Sequence, residues 1–308
     1  MLAAALLMLC WLPACDESGA DASGLEFVFG ETGMGPGEFS YPRAAVRGAN
    51  DRLYIVDKAA RIQCYTPDGR FAFGWRMPEW QAGKPTGLGA GPDGKIYAAD
   101  THYSRVVVFD ADGTRVGEFG SRGEGPGQFI LPTDVAVTPA GDVYVAEYGG
   151  NDRISKFSPS WEYRFSFGGR AAGSAQLQRP QALLLDDDGT LWVADACNHR
   201  ICHFTADGEL LGTFGRAGTA LGELRFPYGL DRLSDGTFVV AEYGNNRVQR
   251  FDASGHSLGV WGTAGRKPGQ LAYPWAAVVA PGDRVFILDS GNNRVQVIRG
   301  LAADTWRR

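Results

Sequence analysis

The chain contains 308 residues, and its apolar content of 44% is high enough to exclude a disordered protein. Gly accounts for 43 residues, about twice the usual share, and this excess with 12% aromatic residues is typical of short strands joined by tight turns. The net charge of −5 argues against a broad nucleic-acid-binding surface, because neutralising phosphates requires clustered positive charge. We therefore expect no nucleic-acid partner.

The first 14 residues predict an export signal, because they are uncharged and too short for a transmembrane helix of about 20 residues. The segment Leu12-Pro13-Ala14-Cys15 resembles the lipobox of bacterial lipoproteins. This resemblance implies lipidation of Cys15, a polar tether over residues 15–24, and anchorage in the bacterial cell envelope, on the periplasmic side if the host is Gram-negative. A plain secretory signal is the alternative. The lipid would be the only contact with the membrane.

A repeat organises residues 25–300. Its marker is a Pro followed fifteen residues later by an acid, which occurs six times. The pairs are Pro42/Asp57, Pro85/Asp100, Pro132/Glu147, Pro180/Asp195, Pro227/Glu242 and Pro274/Asp289. Each acid is followed by an Arg, at positions 61, 105, 153, 200, 247 and 294. Because this pair occurs in every repeat, we expect it to stabilise the fold rather than to act in catalysis.

Each repeat predicts four short strands. In the third repeat we expect them at 134–138, 143–147, 153–158 and 163–167, where Val, Ile, Tyr and Phe predominate. Asp-Gly pairs between strands indicate turns that need a positive φ. No segment of the repeat region has a sustained period of 3.6 residues, so we predict no helix there.

Four strands in about 47 residues are typical of a β-propeller blade. The last repeat has only three strands, and Leu25–Gly30 resembles the fourth strand of the other repeats. The sequence therefore predicts an all-β, six-bladed propeller with four-stranded antiparallel blades, closed by residues 25–30 joining the last blade. The propeller would span residues 25–300 as a monomer, followed by a tail over 301–308.

Two kinds of segment resemble NHL repeats. The first includes AEYGNNRVQRF at 241–251 and LDSGNNRVQVI at 288–298, and the second is the lead-in GPGEFSYP at 35–42. The resemblance implies a six-bladed propeller. It does not imply one function, since members of the family include binding scaffolds and some enzymes.

Positions that differ between the repeats are the candidates for function. The residue after the marker Pro is Arg43, Tyr228 or Trp275 in three repeats, and the loops after the second strand carry Tyr148 and Tyr243. In propellers these positions meet on one face near the channel, and Tyr, Trp and Arg are enriched in binding hot spots. We predict an exported, lipid-anchored scaffold that binds a protein, peptide or glycan there. Alternatively, these residues only cap the blade ends.

Metal chemistry is the alternative function. His102, Cys197 and His199 lie in equivalent loops that could hold zinc, and Asp134 and Asp231 lie in innermost strands that could hold calcium. The alternative is a metal-dependent propeller enzyme, either amidating-lyase-like or lactonase-like, although the sequence has no set of histidines that matches the amidating lyases of the NHL family. The leading hypothesis needs no cofactor and assigns no catalytic residue.

Three cysteines remain after the lipidated position. Cys197 and Cys202 flank one predicted hairpin loop, and export would permit them to form a disulfide. The alternative leaves both as thiols. Cys64 is expected to be a buried free thiol in either case.

Overall fold

A computed structural model describes residues 23–308, in which six four-stranded antiparallel sheets form a ring. The export signal and Cys15 lie outside the described residues. The first strand of each blade contacts the first strands of both neighbouring blades, and all six surround one central cavity. The predicted six-bladed propeller is therefore confirmed. No helix in this part of the chain is long and apolar enough to cross a membrane.

The blades follow one another along the chain, each running from an innermost first strand to an outermost fourth strand. Blade 1 contains Pro42–Arg47, Leu53–Asp57, Arg61–Tyr65 and Phe71–Arg76. Blade 2 contains Gly87–Ala90, Ile96–Asp100, Arg105–Phe109 and Arg115–Phe119. Blade 3 contains Leu131–Val137, Val143–Tyr148, Arg153–Phe157 and Tyr163–Phe167.

The remaining blades repeat this order, with one exception at the end. Blade 4 contains Pro180–Leu185, Leu191–Asp195, Arg200–Phe204 and Leu210–Phe214. Blade 5 contains Pro227–Arg232, Phe238–Glu242, Arg247–Phe251 and Ser257–Trp261. Blade 6 contains Ala277–Ala280, Arg284–Asp289 and Arg294–Arg299, and its fourth strand is Leu25–Phe29.

Short elements complete the described structure. Three-residue 3-10 helices occupy Ala49–Asp51, Thr101–Tyr103, Gly173–Ala175, Ala196–Asn198 and Ser290–Asn292. Two-residue parallel pairs join Glu31–Thr32 to Glu38–Phe39 and Thr263–Ala264 to Gln270–Leu271. The glycines of the predicted Asp-Gly turns have positive φ, as Gly69 at 79° and Gly208 at 87° illustrate. These turns confirm the sequence interpretation.

The ring closes through the strand Leu25–Phe29. It pairs antiparallel with the third strand of blade 6, so that Leu25 faces Ile298 and Phe29 faces Val295. The Phe29 ring also lies 5.1 Å from the Tyr65 ring of blade 1. The strand therefore completes blade 6, as the sequence predicts, and it also packs against blade 1.

Residues 301–308 pack against the ring. Arg307 exchanges two backbone hydrogen bonds with Val260 on the outermost strand of blade 5, with N–O distances of 2.8 and 2.9 Å. The Trp306 side chain is buried among apolar residues of blades 5 and 6. The indole N–H of Trp261 donates to the carbonyl of Ser23, at 2.8 Å. This segment thus extends the outer edge of blade 5.

The apolar core lies between adjacent blades rather than at one centre. Ile62 of blade 1 packs with Ile96 of blade 2 in one layer, and Ile55 of blade 1 packs with Phe286 of blade 6 in the next. Equivalent layers separate the other blades. Since each sheet is covered on both faces, the second strands consist almost entirely of buried residues.

The repeated acids and arginines form buried ion pairs in all six blades. In blade 4, the Nε of Arg200 donates to the Asp195 carboxylate at 2.8 Å, and Asp195 is fully buried. The same carboxylate accepts the backbone N–H of Gln178 at 2.7 Å, while Arg200 donates to the carbonyl of Gln176. The pair therefore fastens the hairpin to the segment that leads in from the previous blade.

The substitution Asp195→Ala should lower the free energy of unfolding by about 3 kcal/mol, because it leaves the Arg200 guanidinium partly buried without its counter-ion. Urea denaturation monitored by Trp fluorescence would measure this loss. Glu209→Ala, at an exposed position of the same blade, is the matched control and should change little. An unchanged midpoint for Asp195→Ala would contradict the structural role of the pair.

Candidate functional site

The six innermost strands enclose a central channel with a cavity of about 620 Å³. The residue after the marker Pro faces this cavity at one end in five of the six blades. These residues are Arg43, Thr86, Gln181, Tyr228 and Trp275. The variable position that the sequence singled out therefore surrounds one mouth of the channel.

The predicted binding residues meet at this mouth. The Arg43 guanidinium lies over the Trp275 ring, 5.4 Å from its centroid. The Trp275 ring stands edge-on to Tyr228, with centroids 5.0 Å apart, and Tyr228 stacks on Tyr243 at 4.7 Å. Because blades 1, 5 and 6 supply these side chains, only the closed ring brings them together.

Tyr148 joins the cluster through an arginine that the sequence interpretation missed. The guanidinium of Arg179 lies 4.7 Å from the centroid of Tyr148 and 5.5 Å from that of Tyr228. We call the group of Arg43, Tyr148, Arg179, Tyr228, Tyr243 and Trp275 the aromatic mouth. It contains all five predicted binding residues.

Arg179 belongs to a second set of residues, those that directly precede the marker Pro. In four blades this residue is large and has a left-handed backbone, a conformation that costs about 1 kcal/mol or more for a residue other than Gly. The residues are Tyr41 at φ 54°, Arg179 at 55°, Phe226 at 51° and Tyr273 at 52°. Arg179 belongs to the aromatic mouth, and two of the others border it. The centroid of the Tyr41 ring lies 5.9 Å from that of Trp275, and the centroid of the Tyr273 ring lies 5.1 Å from that of Tyr243.

Hydrogen bonds between blades hold these four residues in place. In each case the backbone N–H donates to a side chain at one equivalent position of the preceding blade. The bonds are Tyr41 to Asn293 at 2.6 Å, Arg179 to Asp152 at 3.2 Å, Phe226 to His199 at 3.1 Å and Tyr273 to Asn246 at 2.7 Å. These inter-blade latches offset the backbone strain and fix the side chains at the mouth.

The mouth contains polar atoms that have no partner. Within residues 23–308, the buried Nε atoms of Arg43 and Arg179, the Nε1 of Trp275 and the Oε1 of Gln181 make no hydrogen bond. Neither guanidinium pairs with a carboxylate anywhere in residues 23–308. Burial raises the pKa of Tyr228 to about 12, so that this hydroxyl keeps its proton. The mouth is thus rich in donors and carries two uncompensated positive charges.

The predicted metal ligands do not come together. Within residues 23–308 there is no group of three or more His, Cys, Asp or Glu side chains that could hold a metal. His102 accepts the N–H of Lys84 at 3.3 Å, in blade 2, while His199 serves as the latch for Phe226 between blades 4 and 5. The two histidines therefore have separate local partners.

Asp134 and Asp231 lie on the channel wall, partly open to the channel and otherwise surrounded by protein. The Asp134 carboxylate accepts the N–H of Leu183 at 2.9 Å, and the Asp231 carboxylate accepts that of Val279 at 2.6 Å. Burial raises the pKa of Asp134 to about 7 and that of Asp231 to about 6. Each carboxylate links the innermost strands of adjacent blades.

The disulfide considered for Cys197 and Cys202 does not form, and all three cysteines of the described chain are free. Cys202 faces the apolar layer between blades 3 and 4, whereas Cys197 lies in the turn and lines a groove on the surface. Burial raises the pKa of Cys202 to about 12, which leaves little thiolate for exchange. Cys64 is a buried free thiol, as predicted.

Comparison with known proteins supports the repeat assignment. The NHL repeat matches residues 177–204, 224–251 and 271–298, which lie in blades 4, 5 and 6. Human NHL repeat-containing protein 3 is 28% identical over 179 residues, covering 50% of this chain and 48% of that protein. Rat peptidylglycine alpha-amidating monooxygenase is 33% identical over 111 residues, covering 33% of this chain and 11% of that protein. The chain therefore contains NHL repeats and matches half or less of these relatives.

Solved structures show the same fold. A virginiamycin B lyase from Staphylococcus aureus superposes with a TM-score of 0.59 at 20% sequence identity, covering 84% of each chain. At this identity the likeness establishes the propeller architecture alone. The residues of the aromatic mouth must therefore be interpreted from this chain's own geometry.

Replacing His199 tests the inter-blade latch. Burial lowers the pKa of His199, and the positive charge of Arg225 lowers it further. The Nδ1 of His199 must also be unprotonated to accept the Phe226 N–H. The unfolded chain then binds the proton more readily, so stability should decrease as the pH falls below about 6.5. His199→Asn should reduce this decrease, because Asn favours the left-handed backbone found here at φ 56° and already forms the latches of blades 5 and 6.

Thermal melts between pH 7.5 and pH 5 would measure the effect, with the exposed His256→Asn as control. An acid sensitivity equal in wild type and His199→Asn would contradict the latch.

Proposed function

We propose that the protein is an exported, lipid-anchored scaffold that binds a protein, peptide or glycan at the aromatic mouth. The observation that carries this proposal is the convergence of two arginines and four aromatic residues from five blades around one mouth of the channel. These residues differ from blade to blade, so the fold does not require them. Side chains of these types contribute most strongly to binding.

The aromatic side chains at the mouth range from buried to half-exposed, as expected of a binding surface. Trp275 and Tyr228 are about nine-tenths buried, whereas the neighbouring Tyr273 is 49% exposed. The buried rings fix the position of the outer ones through edge-on and stacked contacts. A partner would therefore meet a rigid surface and would order few side chains on binding.

The metal-dependent alternative draws less support from the geometry. The carboxylates of Asp134 and Asp231 accept backbone N–H groups of the next blade, and the two candidate histidines lie in different blades with separate partners. By contrast, the predicted binding residues are all in contact through the cluster. We therefore favour a binding function, with one copy of the chain as the functional unit.

The substitution Tyr273→Ala should weaken ligand binding roughly thirtyfold, the effect of truncating a hot-spot residue of about 2 kcal/mol. The test captures ligand from a bacterial envelope extract on the immobilised full chain and then measures the affinity for the captured molecule. Leu211→Ala is the matched control, since Leu211 is 54% exposed on the outermost strand of blade 4. Equal losses in both variants would contradict a site at the mouth.

Substitution of Cys15 tests the proposed anchor. In a bacterial host labelled with radioactive palmitate, the wild-type chain should carry the label and fractionate with membranes. Cys15→Ser should lose both properties, whereas Cys10→Ser should retain them, because only the cysteine that ends the lipobox is acylated. Two outcomes would contradict lipid anchoring at Cys15. One is a label on both variants, and the other is the absence of any label from the wild type and both variants.

A further inference from the structure

The arginines of the aromatic mouth are unusual among those of the blades. The six repeated arginines all have a carboxylate partner. The guanidinium groups of Arg43 and Arg179 are half-buried, lie over aromatic rings and form no ion pair within residues 23–308, and of Arg179 only the backbone N–H donates to the Asp152 carboxylate. Burial lowers the pKa of Arg43, and the nearby positive charge of Arg179 acts in the same direction. Two like charges placed together at a partly buried site favour the binding of an anion.

Buried neutral groups beside these arginines also lack partners. Trp275 is 8% exposed and its indole N–H is unpaired, and Gln181 is 4% exposed and its Oε1 is unpaired. An unpaired buried donor or acceptor costs about 1–3 kcal/mol. The mouth therefore offers three N–H donors that are unpaired within residues 23–308, on Arg43, Arg179 and Trp275, and the same cavity is lined by the unpaired acceptor of Gln181.

We propose that the aromatic mouth binds the C-terminal carboxylate of a peptide, a refinement that rests on the proposed binding function. The carboxylate oxygens accept hydrogen bonds from Arg43 and Arg179, and Trp275 supplies a further N–H. The Gln181 oxygen accepts the N–H of the last peptide residue, which lies two bonds from the carboxyl carbon. One chemical group of the ligand thus satisfies both the donors and the acceptor.

A peptide fits the mouth better than a glycan for two reasons. A sugar ring binds to an open aromatic face, but Tyr228 and Tyr243 stack on each other and Trp275 stands edge-on to both, so one face of each tyrosine is already occupied. In addition, a groove of about 450 Å³ begins beside the mouth, between blades 3 and 4, and is lined by Tyr148, Arg179 and Cys197 among others. An extended chain whose terminus lies at Arg43 has room in this groove.

Tetrapeptide libraries provide the test. The full chain is titrated against a library with free C-terminal carboxylates and against the same library as C-terminal amides, and binding is followed by fluorescence anisotropy. We expect the acids to bind at least tenfold more tightly than the amides, in keeping with the loss of charge-assisted hydrogen bonds. Arg43→Gln and Arg179→Gln should each remove most of this difference, and melting temperatures would confirm that both variants fold.

Arg164→Gln is the matched control, because Arg164 is exposed on the outermost strand of blade 3 and should leave the preference unchanged. Equal affinities for acids and amides, or no binding of the acids at millimolar concentration, would overturn the inference. If a tetragalacturonate oligosaccharide bound instead and lost affinity in Arg43→Gln, the anion site would serve a glycan and the peptide assignment would be wrong. If Tyr273→Ala also left capture from the envelope extract unchanged, the proposed function would fail as well.

Discussion

Closure of the ring is the constraint on which the other features depend. Each blade buries its two faces against its neighbours, so an open array would leave two apolar faces and two sheet edges uncovered. The strand Leu25–Phe29 supplies the missing edge of blade 6 and covers blade 1. The same closure brings Tyr41 within 3.4 Å of Tyr243, hydroxyl to hydroxyl, across 202 positions of sequence. Without it, the aromatic mouth would not exist.

Within each repeat, the residues that stabilise the fold occupy different positions from those of the proposed binding site. The acid and Arg of each hairpin are buried and paired, and in five of the six blades they also bind the backbone of the lead-in segment. The residues on either side of the marker Pro vary from blade to blade. In four blades the residue before this Pro has a strained left-handed backbone, and a hydrogen bond from its N–H to a side chain of the preceding blade holds it there. Strained residues in a rigid frame are common at binding sites, and here they position the rim of the mouth.

Much of this arrangement could be predicted from the sequence, because each structural requirement of a blade leaves the same residue pattern in several repeats. The strands of blade 3 begin and end within three residues of their predicted limits. The variable position after the marker Pro predicted that Arg43, Tyr228 and Trp275 lie together at one end of the channel, and the structure places them there. Arg179 and Tyr273 were missed, since a residue before Pro is expected to be extended, and only the inter-blade latch makes the left-handed backbone acceptable. The roles of Asp134 and His199 also depend on contacts between blades, which a single repeat does not reveal.

A crystal structure grown with a free-acid tetrapeptide would test the central claim most directly. The account predicts a closed six-bladed ring, with a carboxylate oxygen about 3 Å from the Nε of Arg43 or Arg179 and the peptide chain directed toward the groove between blades 3 and 4. A carboxylate bound elsewhere, or the two guanidinium groups turned away to pair with carboxylates of the protein itself, would contradict it.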